Sequence, residues 1–223
     1  MIPLRDVIPS RTTPGVTITL IVFNVAVYLF QLTLSARSQD AFIYAFGVVP
    51  AYFSIINVFT SMFVHGGLAH LGGNMLFLWI FGDNVEDRLG HGRFIAFYSM
   101  CGVAAALAQT ALNPDSNVPM VGASGAIAGV MGAYLVLYPR SRVLMLFPFP
   151  VFLFELPALV FLGVWFFVQF LNGVNQLPVF EKDVISGGVA FWAHVAGFVA
   201  GLILVVFMKR PERTRVEWWD TVS

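Results

Sequence analysis

Charge is scarce in this chain of 223 residues: Asp, Glu, Lys and Arg make up 11% of it, against about 25% in a typical soluble protein. Hydrophobic residues make up 58%. These proportions exclude a soluble globular domain and predict a helical protein that crosses a membrane several times. The twelve basic and twelve acidic residues cancel, so the composition gives no reason to expect a nucleic-acid partner.

Two further absences concern covalent processing. Cys101 is the single cysteine, which excludes an internal disulfide, and its apolar surroundings favour packing over redox chemistry. The N-terminal region lacks the short apolar core of a cleaved signal peptide, because the charge-free run 12–36 exceeds the usual length of about 7–15 residues. We therefore expect the first apolar segment to be retained as a membrane span.

Long apolar runs are abundant, and polar breaks divide them into six predicted spans. The region Ala41–Gly66 is also free of charge but contains Pro50, and we interpret it as a membrane-associated external loop with short helices. The predicted fold is an all-α bundle of six spans in a single domain over 1–223, with its core at about 16–208. The predicted spans are approximately Val16–Leu34, Leu68–Phe81, Phe94–Leu112, Gly122–Tyr138, Phe154–Leu171 and Gly188–Met208.

Basic residues are distributed unevenly over the connections between these spans. If the N-terminus is cytoplasmic, ten Lys and Arg lie on the cytoplasmic side, and only Arg37 and Lys182 lie outside. This bias predicts that both termini are cytoplasmic. The spans that begin near Leu68, Gly122 and Gly188 then run inward from the external side.

These three inward spans carry polar residues near their external ends. His70 and Asn74 lie on the second span, Ser124 on the fourth and His194 on the sixth. At 1.5 Å per residue, all four lie within roughly 3–10 Å of the outer boundary. Polar groups are costly to bury in a membrane, so their agreement in depth predicts one shared site.

Donor and acceptor capacity gives each of these residues a candidate role. Ser124 is the candidate nucleophile and His194 the candidate general base. Because no acidic residue lies at this depth, we predict a dyad without the aspartate of the familiar triad. His70 and Asn74 are four residues apart on one helix face, and with the Ser124 backbone N–H they suit an oxyanion hole.

Small residues support this arrangement. Gly122 and Gly125 flank the serine, and Gly197 and Gly201 follow the histidine at helical spacing. Small residues at such spacing let helix backbones approach closely. A serine needs that approach if its short side chain is to meet a histidine on a neighbouring helix.

At these residues the sequence resembles the rhomboid family of intramembrane serine proteases. The resemblance covers about 16–208 and implies a rhomboid-like bundle of six transmembrane helices. The matching pieces are H-L-G-G-N at His70–Asn74, E-D-R-L-G at Glu86–Gly90, G-A-S-G at Gly122–Gly125 and A-H-V-A-G-F-V-A-G at Ala193–Gly201.

The resemblance implies a function as well as a fold. It implies cleavage of a peptide bond in or beside the transmembrane helix of a membrane protein, with Ser124 reached by water from outside. It also implies a supporting role for His65 and movement of the fifth span and of the loop Asn172–Gly187 to admit substrate. We expect a prokaryotic plasma membrane, substrate proteins and lipid as partners, no cofactor and no metal.

Two positions depart from the family pattern. Val189 stands where many members have glycine, and Ala128 stands where some members place an aromatic residue that stacks on the histidine. The sequence therefore does not predict what holds the ring of His194.

Three other interpretations compete with a protease. A catalytically silent relative would bind membrane helices, but such proteins lose the serine or the histidine, and this chain keeps both. A small transporter would show inverted repeats, and the sequence has no such symmetry. A zinc site built from His70 with His65 or His194 would need three or four ligands, and no carboxylate or thiol is near.

Overall fold

The computed structural model describes residues 2–175 and 190–211. These residues form eight α-helices, three β-strands and the 3₁₀ turns Pro50–Tyr52 and Ser61–Phe63. Lys182, Val189 and most of the loop Asn172–Gly187 lie outside the described residues. In chain order the elements are β1 Ile2–Asp6, α1 Gly15–Leu32, α2 Ala36–Phe46, α3 Ile55–Thr60, α4 Leu68–Leu89, α5 His91–Leu112, α6 Ser124–Leu137, β2 Arg142–Pro148, β3 Val151–Pro157, α7 Ala158–Asn175 and α8 Phe191–Met208.

The predicted all-α membrane fold is confirmed. Of the helices that the structure describes, α1, α5, α7 and α8 are long and apolar enough to cross a membrane by themselves. Helix α4 qualifies together with the preceding segment Ile55–Phe63, from which it is bent by 90°. Helix α6 has 14 residues, fewer than the roughly 20 that a straight span needs. Length and composition thus establish four or five spans, and the number six stays a prediction.

Helix α6 lies at the centre of the bundle. Its residues from Gly125 to Tyr134 are all buried, and it packs against α4, α5 and α8. A Cβ placed on Gly201 would lie 1.9 Å from the carbonyl oxygen of Gly129, and one placed on Gly197 would lie 2.0 Å from that of Gly125. Because the obstructing atoms belong to the backbone, only glycine permits this approach of α6 and α8, which is the approach that the glycine spacing predicts.

The connection between α1 and α4 contains short helices, as the sequence indicates. Helix α2 has no buried residue, whereas Val48 exchanges two backbone hydrogen bonds with Met120, at 2.9 and 2.7 Å. The side chain of Gln31 on α1 binds the backbone of His65 twice, donating at 3.0 Å and accepting at 3.1 Å. These contacts fix the end of the loop just before α4.

Helix α4 ends later than predicted, at Leu89 and not at Phe81. Glu86 lies in this extension and is buried. Its carboxylate accepts hydrogen bonds from the backbone N–H groups of Val16 at 2.9 Å and of Thr17 at 2.7 Å, and from the Thr17 hydroxyl at 2.7 Å. Since a helix N-terminus stabilises a carboxylate, the buried charge joins α4 to the start of α1.

A three-stranded antiparallel sheet, in the order β1–β2–β3, is the element that the sequence analysis missed. The predicted start of the fifth span at Phe154 is wrong, because Phe154 belongs to β3 and α7 begins at Ala158. Pro148 and Pro150 around the hairpin turn disfavour a helix, and an apolar run alone does not distinguish a strand from a helix.

The sheet and several helix ends lie together at the end of the bundle away from Ser124. Strand β2 follows α6, whose 14 residues carry the chain about 21 Å from Ser124. Asp6 in β1 pairs with Val143 in β2. The backbone N–H of Arg210 beyond α8 donates to the carbonyl of Arg88 in α4 at 2.9 Å.

Asp6 makes a testable contribution to stability. Burial raises its pKa from 3.8 to about 6, even though the Tyr134 hydroxyl donates to its carboxylate. The folded protein holds this proton more tightly than the unfolded chain, so Asp6 favours the folded state at low pH, and this contribution is lost as the pH rises from about 4 through 6. We expect Asp6→Asn to raise the unfolding temperature at pH 7 and to flatten its pH dependence, measured by thermal unfolding in detergent. An unchanged pH dependence in the variant would contradict this assignment.

Candidate active site

Ser124 and His194 face each other across the junction of α6 and α8. Ser124 is the first residue of α6, and His194 lies in the first turn of α8. The serine Oγ lies 2.7 Å from Nε2 of the histidine, within hydrogen-bond distance. Both residues are half-buried. The structure therefore brings together the two residues that the sequence nominates as nucleophile and base.

The other ring nitrogen of His194 contacts a residue that the sequence analysis did not assign to the site. Nδ1 lies 2.8 Å from Oε1 of Gln169 on α7. The ring of Trp165, also on α7, packs against the imidazole with 5.9 Å between the centroids. Only the presence of a polar glutamine in an apolar span could have pointed to this contact, because the rotation of α7 about its axis is not legible in the sequence.

His70 and Asn74 on α4 lie beside the backbone that leads into Ser124. Gly122 has a φ of +115°, and a Cβ placed on it would lie 2.7 Å from Nε2 of His70 and 3.5 Å from Nδ2 of Asn74. Gly122 is thus required both by its backbone conformation and by the side chains packed against it. Asn74 is buried, and its Nδ2 has no hydrogen-bond partner among the described residues.

The backbone N–H of Ser124 belongs to the same group of donors. It lies in the first turn of α6, where backbone N–H groups have no acceptor within the helix. His70, Asn74 and Ser124 line the same cavity, as an oxyanion hole would require.

His65 lies beside His70. Its side chain is buried, and its ring packs edge-to-face on that of His70 with 5.2 Å between the centroids. Neither ring nitrogen finds a hydrogen-bond partner in the part of the chain that the structure describes. This contact allows His65 to orient His70.

One cavity of about 830 Å³ adjoins Ser124 and His194. Its walls include the small residues Gly73, Ala105 and Gly125, which leave room beside the serine. A cavity of this size is in the range that accommodates an extended ligand together with water. It is lined by His70, Asn74, Ser124, Trp165 and His194.

Comparison with known proteins decides the family. The model of the Rhomboid domain matches residues 52–211, most of the chain. The chain belongs to the rhomboid family. The resemblance drawn from the sequence motifs is thereby confirmed, and the matched region includes every residue that lines the cavity except Ile43.

Individual rhomboid proteins resemble the chain over different lengths. The mitochondrial Rhomboid protein 1 of Saccharomyces cerevisiae is 34% identical over 67% of this chain and 41% of its own length. The Rhomboid protease AarA of Providencia stuartii is 27% identical over 91% of this chain and 75% of its own length. The Rhomboid protease GluP of Bacillus subtilis is 40% identical over 37% of this chain and 16% of its own length. The chain thus spans less than half of the yeast relative.

Membership of the rhomboid family fixes the general class of the protein. Two of these relatives are named as proteases, and the family also includes rhomboid-like proteins without activity. The chain is therefore an integral membrane protein of a family of intramembrane proteases.

Proposed function

We propose that this rhomboid protein is an intramembrane serine endopeptidase that acts through a Ser124–His194 dyad. The observation that carries the proposal is the 2.7 Å contact between Oγ of Ser124 and Nε2 of His194. That contact places a proton acceptor, Nε2 of His194, beside the Ser124 hydroxyl, which by itself is a weak nucleophile.

The proposed reaction has two stages. Oγ of Ser124 attacks the scissile carbonyl carbon while its proton moves to Nε2 of His194. The resulting oxyanion is stabilised by His70, Asn74 and the Ser124 N–H. The imidazolium then returns the proton to the leaving amine, and an acyl-enzyme ester remains. Water loses a proton to Nε2 as it attacks this ester, and the proton finally returns to Oγ as the carboxyl product leaves.

The proposed substrates are transmembrane or juxtamembrane segments of membrane proteins. A helix hides each carbonyl in a backbone hydrogen bond, so a segment must unwind before Ser124 can attack it. Small or helix-breaking residues lower the cost of unwinding, and we expect cleavage beside such residues.

The proposed location is a prokaryotic plasma membrane, with both termini cytoplasmic and the cavity open to the outside. Two bacterial relatives support this compartment, although the yeast relative is mitochondrial. The grouping of β1 with the ends of α4 and α8 supports a common side for the termini, and that side is opposite Ser124.

The oxyanion role of Asn74 predicts a kinetic effect. We expect Asn74→Ala to lower kcat by about 10²- to 10³-fold and to leave KM nearly unchanged, because the oxyanion exists only after attack. Initial rates over a range of substrate concentrations measure both constants. The control is Asn117→Ala in the exposed loop before α6. A raised KM with unchanged kcat in Asn74→Ala would refute the assignment.

Reconstitution tests the proposed function as a whole. The full chain is placed in liposomes with a labelled transmembrane peptide that contains a glycine–serine break near its external end, and products are mapped by mass spectrometry. We expect cleavage at or beside the break. Binding of the peptide without cleavage would indicate a silent rhomboid-like protein, and solute flux without cleavage would indicate a transporter; either result contradicts the proposal.

A further inference from the structure

We propose that Gln169 on α7 is the positioning residue of the catalytic base, holding His194 in the tautomer that activates Ser124. This inference rests on the proposed function. It assigns to a neutral glutamine, on a third helix, the task that an aspartate performs in the familiar triad.

The chemistry of the contact determines the tautomer. Oε1 of Gln169 lies 2.8 Å from Nδ1 of His194, and an amide oxygen can only accept a hydrogen bond. Nδ1 must therefore carry the proton. In the neutral ring Nε2 then has a free lone pair, directed at the Ser124 hydroxyl 2.7 Å away. The opposite tautomer would present an N–H to the hydroxyl and could not remove its proton.

Among the described residues around His194, no negatively charged side chain is available to orient its ring, so we assign this role to Gln169. Helices α7 and α8 carry no ionisable side chain besides His194 itself. Among the described residues that line the cavity, His70 on α4 is the ionisable one besides His194. A second histidine supplies no negative charge to orient the ring, so a neutral acceptor is the partner that the site provides.

Trp165 completes the support from the same helix. It precedes Gln169 by four residues, so both side chains project from one face of α7. The Trp165 ring lies 5.9 Å from that of His194 and 6.1 Å from that of Phe198, centroid to centroid. Helix α6 offers no aromatic contact at Ala128, which is buried. Helix α7 thus provides both the stacking surface and the hydrogen-bond acceptor for the imidazole.

This arrangement couples the base to the position of α7. Among its residues only Ala158, Leu162 and Gly173 are buried, and eight of its 18 residues are exposed. An outward displacement of α7 would withdraw Gln169 and Trp165 from His194 together. The base is therefore oriented when α7 is packed against α8.

Three variants separate the acceptor from general packing. We expect Gln169→Leu, which removes the acceptor, to lower kcat by about 10²- to 10³-fold, below the roughly 10⁴-fold loss caused by the wrong tautomer in a complete triad. Gln169→Glu keeps an acceptor and should recover most of that loss. It should also move the acidic limb of the pH–rate profile to higher pH, since a carboxylate stabilises the imidazolium. The control, Phe167→Leu on the exposed face of α7, should leave kcat unchanged.

A spectroscopic measurement reports the tautomer independently of activity. The chain has four histidines, so ¹⁵N spectra of histidine-labelled protein can be assigned by single substitutions. We expect the neutral His194 ring to carry its proton on Nδ1 in the wild type and to populate the other tautomer in Gln169→Leu.

The outcomes distinguish this inference from the proposed function. If Ser124→Ala abolishes cleavage while Gln169→Leu keeps the wild-type kcat and tautomer, the role of Gln169 is refuted and the protease stands. The role is also refuted if Gln169→Glu is as impaired as Gln169→Leu. If Ser124→Ala cleaves as well as the wild type, the proposed function itself fails.

Discussion

Replacing Ser124 by alanine is expected to reduce intramembrane cleavage by about 10⁶-fold, and replacing His194 by alanine is expected to cause a loss of the same order. Without Oγ there is no nucleophile, and without Nε2 at 2.7 Å there is no acceptor for its proton. Cleavage of a transmembrane substrate by purified protein in liposomes measures both losses. Because the two residues act as one unit, the double variant should lose no more than either single variant.

The control for this experiment is Ser38→Ala, which changes an exposed serine at the start of α2. It should cleave at the wild-type rate. Each variant must also unfold at the wild-type temperature, so that lost activity reports chemistry and not lost structure. Undiminished cleavage by a folded Ser124→Ala protein would contradict the proposed nucleophile, and additive losses in the double variant would contradict a shared proton transfer.

The second large effect is expected from Gly201→Ala, far from the reacting atoms. A Cβ at this position would lie 1.9 Å from the carbonyl oxygen of Gly129, so α6 and α8 would have to separate. Overpacking a core typically costs about 1–3 kcal/mol. Backbone atoms can move aside less easily than a flexible side chain. We therefore expect Gly201→Ala to lower the free energy of unfolding by more than about 3 kcal/mol, the upper end of the usual cost of overpacking.

Unfolding in detergent, followed by circular dichroism, measures this loss. Gly92→Ala on α5 is the matched control, because a Cβ there would meet nothing within 4 Å. Alanine is favoured over glycine in a helix by about 0.5–1 kcal/mol, so the control should be at least as stable as the wild type. Equal stability of Gly201→Ala and Gly92→Ala would contradict the close approach of the two helices.

The pairing of Ser124 with His194 was predictable because several weak signals agree. Each polar residue is costly in a membrane span, and charge-free length together with the positive-inside bias places them at one depth. The glycines of α6 and α8 further predict that the two backbones come close. The predicted membrane depth of a residue and the spacing of small residues can both be read from a linear sequence. The pairing could therefore be predicted without knowing any tertiary contact.

Gln169 was not predictable in the same way. Its contact with His194 depends on how α7 is rotated about its axis, and apolar residues on every side of that helix leave the rotation undefined. A polar residue in a span also has a common alternative role in holding helices together.

The sheet and the end of α4 were missed for two different physical reasons. The stretch that contains β3 is apolar and short, and such runs suit a strand or a helix equally well. Glu86 lies beyond the predicted end of the second span at Phe81, but its carboxylate accepts hydrogen bonds from the backbone N–H groups at the start of α1. Neither the strand that pairs with β3 nor the donors that bind Glu86 can be identified before the chain is folded.

Phosphonylation of the serine by a fluorophosphonate tests the central claim most directly. The reagent reacts with a serine hydroxyl only when a neighbouring base activates it, and mass spectrometry identifies the modified residue. We predict one adduct, on Ser124, in the wild-type protein, and none in a folded His194→Ala protein. Equal labelling of Ser124 without His194, or labelling of a different serine in the wild type, would contradict the dyad.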